Sequence, residues 1–282
     1  MEPVALTLVL LSAFLHALWN ALLKRHEDPE AGVVGIIAVD VVLGALWALG
    51  LHGEAFPTRS GWLWGLGAGV CEGLYLFSLA RSLRDAPLGL AYTVARGGAL
   101  LVVWPVSVLW LGEALTPLTL AGALVLAAGL AVTGLVRPSG PSARGVAWAA
   151  ASAVCIAGYH VAYKQALGAG AQPPALFALG LGVALPMLLF MHGSREARGA
   201  VLRQVRRSPW LMLGTGMVST LSFALLLTAL ASGGAGAVLT LRNTSIAFAL
   251  GLAVLQGERP GRRQISGAVL VMAGAVLLGW PA

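Results

Sequence analysis

Apolar residues run in long stretches along this chain, and polar residues gather in short clusters between them. A helix needs about 20 apolar residues to cross the hydrocarbon core of a bilayer. By that ruler the pattern predicts ten spans, near residues 3–23, 32–51, 61–81, 87–111, 117–136, 145–166, 173–192, 209–231, 235–256 and 264–280. The connections are short, which predicts that consecutive helices are antiparallel neighbours. The longest, from His192 to Ser208, holds Arg195, Arg198, Arg203, Arg206 and Arg207. No soluble domain is expected at either end, and the first span reads as a full-length helix rather than a cleavable signal peptide.

Composition agrees with this pattern. Hydrophobic residues make up 58% of the 282 and charged residues 10%, where a soluble domain carries roughly 25% charged. One core could not hide so much apolar surface, so lipid is the expected solvent. The net charge of +7 does not point to nucleic acid, because the basic residues sit in the short connections and read as topology signals. Cys71 and Cys155 lie inside apolar stretches as small packing residues, with no metal motif around them. No cofactor is expected.

The chain also repeats itself. Ser12-Ala13, Ala17 and Lys24 recur as Ser152-Ala153, Ala157 and Lys164 at an offset of 140, with Trp19-Asn20 opposite Tyr159-His160. At an offset of 145, Gly112-Glu113, Gly122, Gly129 and Gly134 recur as Gly257-Glu258, Gly267, Gly274 and Gly279. Arg96 aligns with Arg242 after a one-residue gap. Units of 1–138 and 139–282 with five spans each must enter the membrane in opposite senses. Inverted repeats of this kind place a transporter's substrate site near the midplane, between the halves.

These motifs resemble the drug/metabolite transporter superfamily, and within it the EamA-type ten-helix permeases. The carriers are Pro105, Gly112-Glu113, Gly122 and Gly129 in one half. In the other they are Leu241-Arg242-Asn243-Thr244-Ser245, Gly257-Glu258, Gly267 and Gly274. Leu15-His16-Ala17-Leu18-Trp19-Asn20 followed by Lys24 is similar to one subgroup. The second half lacks a proline matching Pro105. The resemblance implies an all-α membrane fold and a central cavity lined by the first, third, fourth, sixth, eighth and ninth spans. It implies carriage of small metabolites, often outward, and does not name the substrate.

Ionisable groups deep in a membrane cost roughly 2.5–3.5 kcal/mol each, so each needs a reason. Glu72 and Arg96 fall at similar depth on consecutive spans, which predicts an ion pair, either a permanent strut or a cavity pair that opens for substrate or proton. Arg242 has no carboxylate at its depth, only Ser219 and Ser222. It needs water, backbone carbonyls or an anionic ligand, and its planar fork suits a carboxylate or phosphate. The candidate substrate-binding set is Arg242, Arg96, His16, Asn20, Trp19, Tyr75, Tyr92, His160, Tyr159, Asn243 and Ser222. Several of these lie on polar stripes: Ser12, His16, Asn20 and Lys24 recur every fourth residue, and Ser152, His160 and Lys164 occupy the equivalent places. The histidines are either packing residues or hydrogen-bonding and relay groups, and Lys24 and Lys164 are at helix ends where they can snorkel. Glu72 is the first candidate proton carrier and Asp40 the second, with Lys24 as an alternative partner for Asp40. Glu113 and Glu258 read as helix-end anchors. Gly65, Gly69 and Gly73, like Gly122 and Gly129, mark close-packing faces.

Counting Lys and Arg on each side puts nearly all of them on one, with only Arg59 and Lys164 opposite. By the positive-inside rule both termini face away from the cytoplasm, whereas the resemblance suggests both inside. The expected setting is a bacterial-type inner membrane. The leading reading is a secondary transporter, an exporter of a small polar metabolite with an anionic or zwitterionic, amino-acid-like group. No phosphate-binding Lys-Ser/Thr loop is present to use ATP, so protons are the default coupling ion. A flippase or transporter of an amphiphilic lipid-linked or cationic compound is the alternative. An enzyme is not expected, since acids in the spans are single and scattered. Both halves of the site come from one chain, so a monomer suffices.

Overall fold

The computed structural model describes residues 3–110, 115–134, 141–191, 195–232, 238 and 241–278. Its elements are α1 (Pro3–Lys24), α2 (Pro29–Leu49), α3 (Arg59–Asp85), α4 (Leu88–Trp110), α5 (Pro117–Gly134), α6 (Pro141–Gly168), α7 (Pro173–Met191), α8 (Arg195–Arg207), α9 (Pro209–Ser232), α10 (Ser245–Leu255) and α11 (Arg262–Leu278). Among the described residues every regular element is a helix. Gly112, Glu113 and Gly279, three positions of the repeat, lie outside the described residues.

Local chemistry sets the helix starts. Asp28 accepts from the backbone N–H groups of Glu30 and Ala31, and Pro29 opens α2. Thr58 caps α3 through Gly61 N. Proline also opens α5, α6, α7 and α9, where its missing N–H costs nothing and its fixed φ suits the first turn. Gly170 turns the chain between α6 and α7 at φ 90°, a conformation side chains disfavour.

Among the described residues, seven helices are long and apolar enough to span: α1, α2, α3, α4, α6, α7 and α9. Of the other three expected spans, the described helices are shorter. Pro117–Thr133 and Ser245–Leu255 are apolar helices of 10–17 residues, and α11 has 17 residues. The expected ninth span is interrupted at Asn243 and Thr244. There the Thr244 hydroxyl donates to Leu241 O at 2.7 Å, the local side-chain bonding with which Thr and Asn compete against a helix. The His192–Ser208 connection contains a helix, α8, that periodicity did not single out.

Consecutive helices are not the main partners, contrary to the sequence expectation. α3 runs closely into α4 in the chain, yet packs chiefly on α6 and α7, while α4 also packs on α6. α1 packs chiefly on α9 and α10, and α5 on α11. Small residues explain the closest of these contacts. A Cβ on Gly129 would lie 2.8 Å from Gly267 O, and one on Gly267 would lie 2.8 Å from Gly129 O. Gly122 and Gly274 meet in the same reciprocal way. Such backbone approach is what drives helix pairing where lipid removes the hydrophobic contrast.

Polarity is inverted relative to a soluble protein. Leu49, Leu109, Phe190 and Leu255 are all more than 80% exposed, whereas His16, Asn20, Asp40, Glu72, Arg96 and Arg242 are buried. An apolar exterior around a polar interior is stable only in lipid. This is a multi-pass membrane protein.

The ion pairs collect at one end of the bundle. Glu30 pairs with Arg81 and Arg84, Asp85 with Arg84 and Arg144, Glu27 with Arg207, and Lys24 approaches Glu258 at 3.9 Å. At the other end Thr58 bonds Ala169 O and Gln172 N bonds Ala55 O. The basic end is the one that the charge count gathers from the sequence.

Candidate functional site

Arg242 sits on the last turn before the Asn243–Thr244 interruption, which lets its side chain reach α1. It is 1% exposed. Nη1 donates to Ser12 Oγ at 3.2 Å, Nη2 lies 3.0 Å from His16 Nδ1, and the guanidinium carbon stands 5.3 Å from the centre of the Phe223 ring. Ser12 is itself fixed by reciprocal bonds with Ser222. Ser12 Oγ donates to Ser222 O at 2.7 Å, and Ser222 Oγ donates to Ser12 O at 2.9 Å. Ser222 thus supports the residue that holds Arg242.

The tautomer of His16 follows from its neighbours. Trp19 Nε1 also donates to His16 Nδ1, at 3.1 Å. Indole and guanidinium nitrogens only donate. Nδ1 must therefore accept, and His16 is a neutral imidazole with its proton on Nε2. That Nε2 is buried without a partner among the described residues, so a donor is left over beside Arg242. Asn20 turns away from this cluster and donates to His16 O at 2.7 Å.

Arg96 is 4% exposed, and its Nε has no partner among the described residues. It lines a small cavity of about 20 Å³ with His160, Arg242 and Asn243, together with Ala99, Leu100, Val103 and Ile156. That volume holds about one water. His160 Nε2 likewise has no partner among the described residues. Two guanidinium groups thus meet one small cavity, one from each half of the chain, and no carboxylate lines it.

The aromatic candidates form one connected wall. Tyr159 stacks near Tyr75 (5.5 Å between ring centres), His160 (4.4 Å), Tyr163 (5.6 Å) and Phe223 (6.5 Å). His16 lies 6.1 Å from Tyr92 and 5.8 Å from Phe223. The structure therefore brings together Arg242, Arg96, His16, Trp19, Tyr75, Tyr92, Tyr159, His160, Asn243 and Ser222 around the meeting of α1, α3, α4, α6, α9 and the residues before α10.

The expected Glu72–Arg96 pair and the alternative Asp40–Lys24 pair are not formed among the described residues. Glu72 makes no ion pair with Arg96 among the described residues; its Oε2 accepts from Tyr163 Oη at 2.6 Å. The reason is helix arrangement, since α3 faces α6 rather than α4 along its length. Asp40 does not reach Lys24. Its Oδ1 accepts from Thr220 Oγ1 on α9 at 2.9 Å. Lys24, at the end of α1, donates to Leu83 O at 3.0 Å and Ala86 O at 2.6 Å. Glu258 caps α4 in trans, accepting from Leu88 N at 2.6 Å and Gly89 N at 3.3 Å.

Sequence reading missed Tyr163 and Phe223. Tyr163 was detectable in principle, since it lies one turn beyond Tyr159 and His160 on the same helix face. Phe223 carried no signal, being one of many apolar residues in its span.

Comparison with known proteins fits this arrangement. Residues 143–280 match the EamA-like transporter family. This segment is similar to an EamA-type transporter unit. Among solved structures, one titled only as the crystal structure of a protein is 23% identical, with a TM-score of 0.63 over 98% of both chains. That likeness extends the shared fold over the EamA unit and the half that precedes it. No curated protein matches the chain.

Proposed function

We propose that this EamA-type membrane protein is a secondary transporter of a small polar metabolite with an anionic or zwitterionic, amino-acid-like group. The observation that carries the proposal is the small cavity lined by both Arg96 and Arg242, with no carboxylate in its lining. Two buried like charges repel, and an anion arriving between them would relieve both that repulsion and the cost of burial. The cavity has room for about one water. A metabolite needs more room than this, so the proposed cycle is alternating access, in which the halves part to admit substrate.

The halves are residues 1–138 and 139–282, read as inverted five-helix repeats. The packing supports this. α1 lies on α9 as α6 lies on α3, α1 lies on α10 as α6 lies on α4, and the Gly122–Gly274 and Gly129–Gly267 contacts exchange under the 145-residue offset. α5 and α10 then count as spans shortened by their boundaries. One chain supplies both arginines, so a monomer suffices. Protons are the proposed coupling ion. Glu72, held by Tyr163, is the first carrier and Asp40, held by Thr220, the second. We place the protein in a bacterial-type inner membrane as an exporter, with the basic end cytoplasmic and the termini outside by the charge rule.

A second reading has its own observation. A cleft of about 650 Å³ opens between the ends of α1 and α10, lined by Leu18, Leu22, Leu252 and Leu255 with Lys24, Gln256 and Glu258 at its polar rim. Its shape suits an amphiphile with a charged head.

A thermal-stability panel of anionic, zwitterionic and cationic metabolites on purified wild type and Arg242→Gln separates the two. Selective stabilisation by an anionic or zwitterionic compound, lost in the variant, supports the arginine-anchored site. Stabilisation by cations or detergent-like amphiphiles, equal in both proteins, refutes it.

A further inference from the structure

The helix α8 stands outside everything above. It has thirteen residues, carries Arg195, Arg198, Arg203, Arg206 and Arg207, and is joined to α9 through Ser208 alone. Only three residues separate it from α7. Both of its neighbours span the membrane, so neither connection lets α8 move away into water. It is pinned at the level where the spans end, and at ~1.5 Å per residue it covers roughly 20 Å of that boundary.

One face of α8 is committed to the protein. Gln204 is buried, with Nε2 2.8 Å from His26 Nδ1, Val201 packs on the main core, and Arg207 pairs with Glu27 at 2.7 Å. The opposite face is not. Leu202 is 52% exposed, Val205 is also exposed, and Trp210 at the start of α9 is 82% exposed. Arg203 and Arg206 are exposed beside them, and among the described residues neither has an acidic partner. Apolar side chains interleaved with unpaired arginines, with an indole at the helix junction, suit the interfacial layer of a bilayer. A soluble acidic partner would leave Leu202, Val205 and Trp210 facing water. Headgroup phosphates above acyl chains satisfy both kinds of residue at once.

We propose that the outer face of α8, through Arg203 and Arg206 with Leu202, Val205 and Trp210, is a binding surface for acidic phospholipid headgroups. The surface is separate from the Arg96–Arg242 cavity and holds whatever the transported substrate is. Because α8 is seated on His26 and Glu27, the α1–α2 turn, lipid bound there steadies the basic end of the first half against the second.

The test uses the full-length protein in dodecylmaltoside micelles, titrated with dioleoylphosphatidylglycerol and, separately, dioleoylphosphatidylcholine, with thermal unfolding as the readout. The acidic lipid raises Tm saturably and the zwitterionic one does not. An arginine near a charged lipid surface contributes about 5-fold in affinity, so Arg203→Gln/Arg206→Gln weakens the phosphatidylglycerol response by about 25-fold. Both substitutions lie on the exposed face and leave the Arg207–Glu27 and Gln204–His26 contacts in place. Arg59→Gln, at the other end of the bundle, keeps the wild-type response. The proposal is overturned if the two lipids act alike on wild type, if the double variant keeps its phosphatidylglycerol affinity, or if inorganic phosphate at equal concentration reproduces the effect.

Discussion

Tyr163→Phe removes a single hydroxyl from the interior, and its cost reports the charge state of Glu72. The Tyr163 Oη to Glu72 Oε2 distance is 2.6 Å, within the range of hydrogen bonds to an ionised carboxylate. The other oxygen, Oε1, has no partner among the described residues. After the substitution both oxygens are buried without a donor. A hydrogen bond to a charged group contributes about 1.5–3 kcal/mol, against about 0.5–1.5 for a neutral pair. With Glu72 ionised in this structure, Tyr163→Phe costs roughly 2 kcal/mol, a fall in Tm of about 4–8 °C. Glu72→Gln keeps an acceptor for the hydroxyl, and in that background Tyr163→Phe costs no more than about 1 kcal/mol. Thermal unfolding of wild type, both single variants and the double variant closes the cycle. An equal cost of Tyr163→Phe in the two backgrounds refutes the charge-assisted bond, and with it Glu72 as a proton acceptor in this state.

Gly267→Val places a side chain against the backbone of α5, where a Cβ already falls 2.8 Å from Gly129 O; an overpacking cost of roughly 1–3 kcal/mol should appear as a lower Tm. Glu258→Ala leaves Leu88 N and Gly89 N without their acceptor, a capping loss of about 0.5–2 kcal/mol, and speeds hydrogen exchange at the start of α4 with little change elsewhere. Burial holds His26, in the α1–α2 turn, below its ordinary pKa. Its folded value lies under the unfolded value of ~6.5, so the stability it contributes is complete above that pH and declines as pH falls through it, by at most about 1.4 kcal/mol per unit. Hydrogen exchange in α8 should rise at mildly acidic pH in wild type, and this rise should shrink in His26→Asn.

The inventory of the site was legible in the sequence because membrane burial makes polar residues conspicuous. Arg242, Arg96, His16 and His160 stand out in apolar stretches, and the structure gathers all four. Their pairings were not legible. Depth along consecutive spans pointed Glu72 at Arg96, but helices adjacent in sequence need not be adjacent in the bundle, and α3 turns its polar face to α6. Asp40, for which Lys24 was the alternative partner, is held instead by Thr220. The glycine pattern at a fixed offset did carry three-dimensional information, because backbone contact between α5 and α11 tolerates no side chain at Gly129 or Gly267. α8 was hidden by its own arginines, which read as a charged loop until its apolar residues were seen to lie among them.

The most direct test of the central claim is equilibrium binding, by isothermal titration calorimetry, of the anionic or zwitterionic metabolite that most stabilises the wild type, measured on wild type, Arg96→Gln and Arg242→Gln. Removing one partner of a buried charged pair costs about 2–5 kcal/mol, so each variant should bind at least roughly 30-fold more weakly. Wild-type affinity in both variants would contradict the account, because an anion held between Arg96 and Arg242 cannot be indifferent to the loss of either.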